Sequence, residues 1–157
     1  MLTATPVSTP KDFNLLGEKY LTKSVDVFNA WTYTRTLPAC VKYETEIDNK
    51  WQMLLAKVYV FGDRFNIPGL KSAALNMQKT NASERQQPWG VMQPPCCKVI
   101  KFVYENLPEN DTFMQLLVNN FCCGDKFTNA EQAENELRSF PHGLLVKIIM
   151  EYNENKQ

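Results

Sequence analysis

The sequence predicts a mostly α-helical protein with at most one or two short strands, and three observations carry that reading. Apolar residues recur at steps of three and four, foremost at Trp51, Leu54, Leu55, Val58, Phe61 and Phe65, a spacing that lines one face of a helix. Residues that start or stop helices stand at the ends of such stretches, among them Asp48, Pro68, Asp111, Gly124 and Pro141. Only Lys19-Tyr20-Leu21 and Cys40–Glu46 read as short strands at all.

At 157 residues the chain suits one domain, which at this size buries roughly 70% of its unfolded surface. Seventeen basic residues balance seventeen acidic ones. From Asn81 onward seven basic residues stand against ten acidic, so the basic stripe of a nucleic-acid binder is missing. MLTATPVSTP has neither the basic start nor the apolar run of a signal peptide, and no stretch reaches membrane-span length. The five cysteines include the neighbours Cys96-Cys97 and Cys122-Cys123 and show no CxxC spacing. They are expected to be reduced thiols in the cytoplasm or nucleus.

In chain order, residues 1–23 are expected to be a flexible lead rich in Thr, Pro and Ser. Ser24–Tyr33 follows as a helix with Val27, Phe28 and Trp31 on one side, then a loop or strand over Cys40–Glu46. Asp48 is placed to cap the central helix, whose stripe stops at Asn66-Ile67-Pro68. Asn66 reads as an N-cap, and Ile67, steered out of the helical region by Pro68, as the corner. A short helix then turns Leu70, Ala74 and Met77 inward, with Gly69, Ala73 and Ala74 small enough to admit a neighbouring helix.

Residues 80–95, with three prolines and no periodicity, read as a linker on which Trp89 docks back. Cys97, Ile100, Val103, Tyr104 and Leu107 make the next stripe. Asp111 caps a helix holding Phe113, Leu116, Leu117, Asn120 and Phe121, with Gly124 past its end. Thr128-Asn129-Ala130-Glu131 fits a capping box opening a polar helix. Pro141 starts a last helix, predicted to turn Leu144, Leu145, Ile148, Ile149 and Tyr152 inward.

The run Tyr59-Val60-Phe61-Gly62-Asp63-Arg64-Phe65-Asn66-Ile67-Pro68-Gly69-Leu70-Lys71, followed by Ala74-Leu75, resembles the penultimate helix pair of BTB/POZ domains of the fungal type. Val27 to Pro38 resembles the signature of the preceding helix, with Thr32 in place of Leu and Arg35 in place of Gly. Val99 to Pro108, with Leu116-Leu117-Val118, looks like the C-terminal extension that follows fungal BTB domains. The strand-and-helix hairpin that opens a complete BTB domain has no counterpart. The resemblance thus implies a partial BTB-like region over 24–79 and a helical extension over 96–157, without the family's N-terminal half. The central helix would then expose apolar surface normally covered.

No constellation of catalytic residues emerges. His142, the only histidine, sits at a helix start, where a charged imidazolium is disfavoured; an exposed turn residue is the simpler reading. Cys97 and Cys122 are expected to fill core positions rather than bind zinc, which wants four ligands with CxxC or HxxxH spacing. Glu131, Glu134 and Glu136 read as a solvated face, Glu105 and Glu109 as flanks of a turn, and Lys71 and Lys79 as ordinary surface charges. The six glycines form no phosphate loop.

The expected function is a protein-interaction module that is not an enzyme and has no cofactor, metal, nucleic-acid or membrane partner. The resemblance implies self-association or recruitment of a cullin scaffold in ubiquitin transfer, with Leu37, Pro38 and Tyr43 as partner-binding residues. The competing reading is an all-helical small-ligand carrier or enzyme with a pocket near Trp51 and Trp89. A deep closed cavity with a polar cluster would favour it; a flat apolar face would favour the module.

Overall fold

The structure, a computed structural model, describes residues 24–37, 45–84, 94–123 and 130–155. The described residues form seven helices and no strand: α1 (Ser24–Thr34), α2 (Thr45–Arg64), α3 (Pro68–Glu84), α4 (Cys97–Asn106), α5 (Thr112–Cys123), α6 (Ala130–Arg138) and α7 (His142–Glu154). The mostly-α expectation therefore holds. Of the two strand stretches, the first and residues 40–44 of the second lie outside the described residues, and Thr45 and Glu46 already belong to α2. Pro38, Tyr43, Trp89, Gly124 and the first two residues of the expected capping box also lie outside.

Helix α2 is the hub, with α1, α3 and α4 packed on it. Its buried surface is wider than the predicted stripe, taking in Gln52, Ala56, Tyr59 and Val60 beside Trp51, Leu54, Leu55 and Val58, because three neighbours cover it. A fully buried Leu or Val contributes about 1.5–3 kcal/mol, so losing this contact surface would dissolve the fold. At the end of α2 the stripe runs out into water: Phe65 is 64% exposed and rests on Phe61, 4.5 Å between ring centroids. The helix begins three residues before Asp48, which lies inside its first turns and is not its cap.

The α2–α3 corner has a different division of labour from the expected one. Asn66 does not cap α3; it closes α2. Its φ is 52°, its N–H donates to the Asp63 carbonyl (3.2 Å), and the Ile67 N–H donates to the Gly62 carbonyl (2.7 Å). These two bonds are a Schellman termination, which needs a left-handed residue at Asn66. Ile67 then takes the capping place, its carbonyl accepting from the N–H groups of Leu70 and Lys71, with Pro68 at the first helical position. The corner brings α3 down on Gly62, where a Cβ would stand 3.1 Å from Lys71 Cγ. Gly69 is equally close to the Trp31 ring, 3.2 Å from an added Cβ, as the small residues there predict.

Helix α1 also ends on a left-handed residue, with a single closing bond in place of two. Arg35 has φ 57°, its N–H donates to the Trp31 carbonyl at 2.7 Å, and its guanidinium lies over the Trp31 ring, 4.9 Å from the centroid. Stacking and a backbone bond hold this arginine in the left-handed region.

Helix α3 continues to Glu84, so residues 80–84 are helix and not linker. Its inner face runs on from Leu70 and Ala74 through Gln78 and Asn81. These positions keep helical spacing but are amides, which hid the period. Beyond the interval, the Cys96 N–H donates to Gln52 Oε1 at 3.3 Å, fixing the start of α4 against the hub. Asp111 caps α5 as expected, Oδ1 accepting from the Phe113 N–H at 2.8 Å. Helix α5 packs on α3, α4 and α7 and buries Phe113, Met114, Leu117, Val118, Asn120 and Phe121.

Helix α7 seats Leu144 and Ile148 in the core. The expected inner face is corrected in part: Ile149 and Tyr152 point outward, 58% and 42% exposed. Leu144 and Ile148 are four apart and define one direction; Ile149 stands about 100° round from Ile148. Gly143 meets Tyr104, whose hydroxyl lies where a Cβ would be, tying α7 to α4.

Candidate interaction surface

Two surface features and one polar junction could carry function. The first feature is the outer stripe of α7: Val146 (41%), Ile149 (58%), Met150 (60%) and Tyr152. Four large apolar side chains within seven residues on an exposed helix face form a contiguous patch of the kind that marks an interaction site. Val146 and Met150 also line the second feature, an open groove of about 790 Å³. Leu116 shares its apolar wall, and Lys79, Glu109, Lys147 and Glu151 bring charges of both signs to it. The Lys147 ammonium donates to the Glu109 carbonyl, holding the α4–α5 corner against α7. The groove is a surface cleft of mixed character.

The polar junction joins α2, α3 and α5. The Tyr59 hydroxyl donates to Asp111 Oδ2 at 3.2 Å. Lys71 Nζ lies 2.6 Å from Asp63 Oδ1 and 3.8 Å from Asp111 Oδ2, and 5.0 Å above the Tyr59 ring. Burial, and after it the Asp111 carboxylate, raise the Tyr59 phenol to about 12. The hydrogen bond to Asp63 raises Lys71, so it stays charged. A proton-transfer group at neutral pH needs the opposite tuning, toward 7. The junction is a three-helix latch. Sequence reasoning took Lys71 for an ordinary surface charge; its helical neighbours gave no hint, because both carboxylates arrive from other helices.

The remaining reactive groups are placed as structural ones. Burial, then the Glu136 carboxylate, push the Cys97 thiol well above its usual range, which makes it inert. Cys122 is buried and donates to the Ile148 carbonyl at 3.5 Å, while Cys123 is exposed. His142 is exposed at the first position of α7. Glu131 and Glu134 are exposed, Glu134 paired with Arg138. Among the described residues no three His, Cys, Asp or Glu gather to hold a metal ion, and no helix is long and apolar enough to cross a membrane.

Of the sequence-predicted partner residues, Leu37 is buried at the end of α1, 7% exposed and part of the core, so Leu37→Asp would place a carboxylate in the interior. Pro38 and Tyr43 lie outside the described residues. Of the two tryptophans expected around a ligand pocket, Trp51 is fully buried in the hub and does not line the groove. Compared with protein-family models, with curated proteins and with solved structures, the chain matches none.

Proposed function

We propose that the chain is a protein–protein interaction module of the BTB/POZ type, acting as an adaptor in the cytoplasm or nucleus. The observation that carries this is the apolar outer stripe of α7 beside an open groove. Wet apolar area costs about 25 cal/mol per Å², and a stable helix that leaves such a stripe outside gains by covering it. The Tyr59–Lys71–Asp111 junction is tuned away from proton transfer, which supports binding over catalysis. The fungal BTB resemblance rests on the run from Tyr59 to Lys71; ubiquitin-ligase or transcription-related complexes are the assemblies that resemblance implies.

The test compares the proteins retained by the intact chain and by its Ile149→Asp/Met150→Asp variant. Loss of a defined set of partners with the helical signal unchanged supports the module, and identical profiles count against it. Mixing the chain with a purified cullin N-terminal domain tests the ubiquitin arm directly. Co-elution supports it; separate elution removes it and leaves the module reading in place.

A further inference from the structure

Three rings run in line from α1 to the end of α2: Phe28 lies 5.2 Å from Phe61, and Phe61 lies 4.5 Å from Phe65, between centroids. Phe28 and Phe61 are partly buried against the core, while Phe65 is 64% exposed and does not line the α7 groove. The first half of α1 therefore sits at this end of the hub. Ser24, its first residue, is one helical turn before Phe28, which places it no more than about 20 Å from the Phe65 ring. The chain that leads into Ser24 thus arrives beside an apolar surface that the described helices leave uncovered. Its sequence changes character on the way. Six of residues 1–10 are Thr, Ser or Pro, whereas five of residues 13–21 are large and apolar: Phe13, Leu15, Leu16, Tyr20 and Leu21. Side chains of that size gain by leaving water. Phe13, Leu15 and Leu16 stand eight to eleven residues before Ser24. Eight extended residues span about 26–29 Å, so all three reach Phe65 with slack. Tethering also decides between occupants: a segment on so short a connection is present at about 1 mM, far above what a second copy or a free partner reaches in solution.

We propose that residues 13–16 dock in cis on the rings of Phe61 and Phe65, with Phe13, Leu15 and Leu16 covering the apolar end of α2. A partner that used this surface would first have to displace the chain's own segment, which makes that segment a built-in competitor. The experiment places a benzophenone amino acid at position 16 of the intact chain, illuminates it, and maps the adducts by mass spectrometry. The main adducts are expected on Phe28 and on residues 61–65. Phe13→Asp/Leu15→Asp leaves the target and the described helices unchanged. It should cut the adduct yield at least about twofold, the effect of a tenfold weakening on a mostly docked segment. Free peptide of residues 11–23 at about 1 mM should halve the yield as well, because it then matches the tethered segment in concentration. Adducts scattered over the surface, adducts concentrated on the α7 stripe, or a yield unmoved by Phe13→Asp/Leu15→Asp would each overturn the docking. Mixing isotope-labelled and unlabelled chains identifies adducts between copies, and a predominance of these would overturn docking in cis.

Discussion

The Tyr59 hydroxyl donates to Asp111 Oδ2 across 52 residues of chain, while the other oxygen of the same carboxylate caps α5. One side chain therefore ends a helix and ties it to the hub, with the Tyr59 and Phe113 rings stacked at 4.4 Å beside it. Placing Asp111 there positions α5, and through α5 it positions α7 with its exposed stripe.

Removing the hydroxyl by Tyr59→Phe should cost about 1 kcal/mol at neutral pH, the usual value of one such bond. The pH dependence has a fixed sign. The phenol titrates near 10 in an unfolded chain and at about 12 when folded. Its contribution is complete below about pH 10, falls as pH rises from 10 to 12, and is gone above. Urea unfolding of both proteins at about pH 8 and about pH 11 checks this: the gap between them should narrow at the higher pH.

The two left-handed residues should respond unequally to glycine. Arginine at φ 57° carries a strain of about 1–2 kcal/mol, offset in part by the stack on Trp31, about 0.5–1 kcal/mol at an exposed site. Arg35→Gly is expected to stabilise by about 0.5 kcal/mol. Asn66→Gly should change less, because asparagine tolerates this region. Valine at either position should destabilise by about 1–2 kcal/mol. Thermal melts of the four variants give the order.

How much was legible beforehand depends on how local each signal is. The Ser24 start of α1, the Ile67 corner and the Asp111 cap are written within four residues of where they act, and each was found. The outward turn of Ile149 was not. From Leu144 to Met150 only Lys147 is polar, so hydropathy offers several inner faces, and contact with α5 chooses among them. The last turns of α3 were hidden because the inward positions are Gln78 and Asn81. Lys71 was missed because its carboxylates come from α2 and from the start of α5. Burial of amides and pairing across helices are decided by tertiary packing.

Thiol reactivity should separate the cysteines. Cys123 is exposed, Cys97 and Cys122 are buried, and the Cys97 thiol is raised further by burial. With Cys40 replaced by serine to keep the count clean, a disulfide reagent at neutral pH should modify Cys123 first. Cys97 and Cys122 should react only as the chain opens, at a rate that follows denaturant. Peptide mapping of the labelled protein identifies the order, and early labelling of Cys97 would contradict its burial.

The same substitution at two buried glutamines should act with opposite signs. Gln78 is buried, and its Oε1 has no hydrogen-bond partner among the described residues. An unmet buried carbonyl costs about 1–3 kcal/mol, and methionine has similar length without that group. Gln78→Met is expected to stabilise by about 1 kcal/mol. Gln52 is equally buried, but its Oε1 accepts the Cys96 N–H. Gln52→Met leaves that donor unmet at the entry to α4 and should destabilise by about 1–2 kcal/mol. Urea midpoints of the two variants read the difference with the chemistry of the change held constant. Equal losses at both positions would mean that the Gln78 carbonyl is satisfied in solution, as by a buried water, and that this part of the α2–α3 interface is wet.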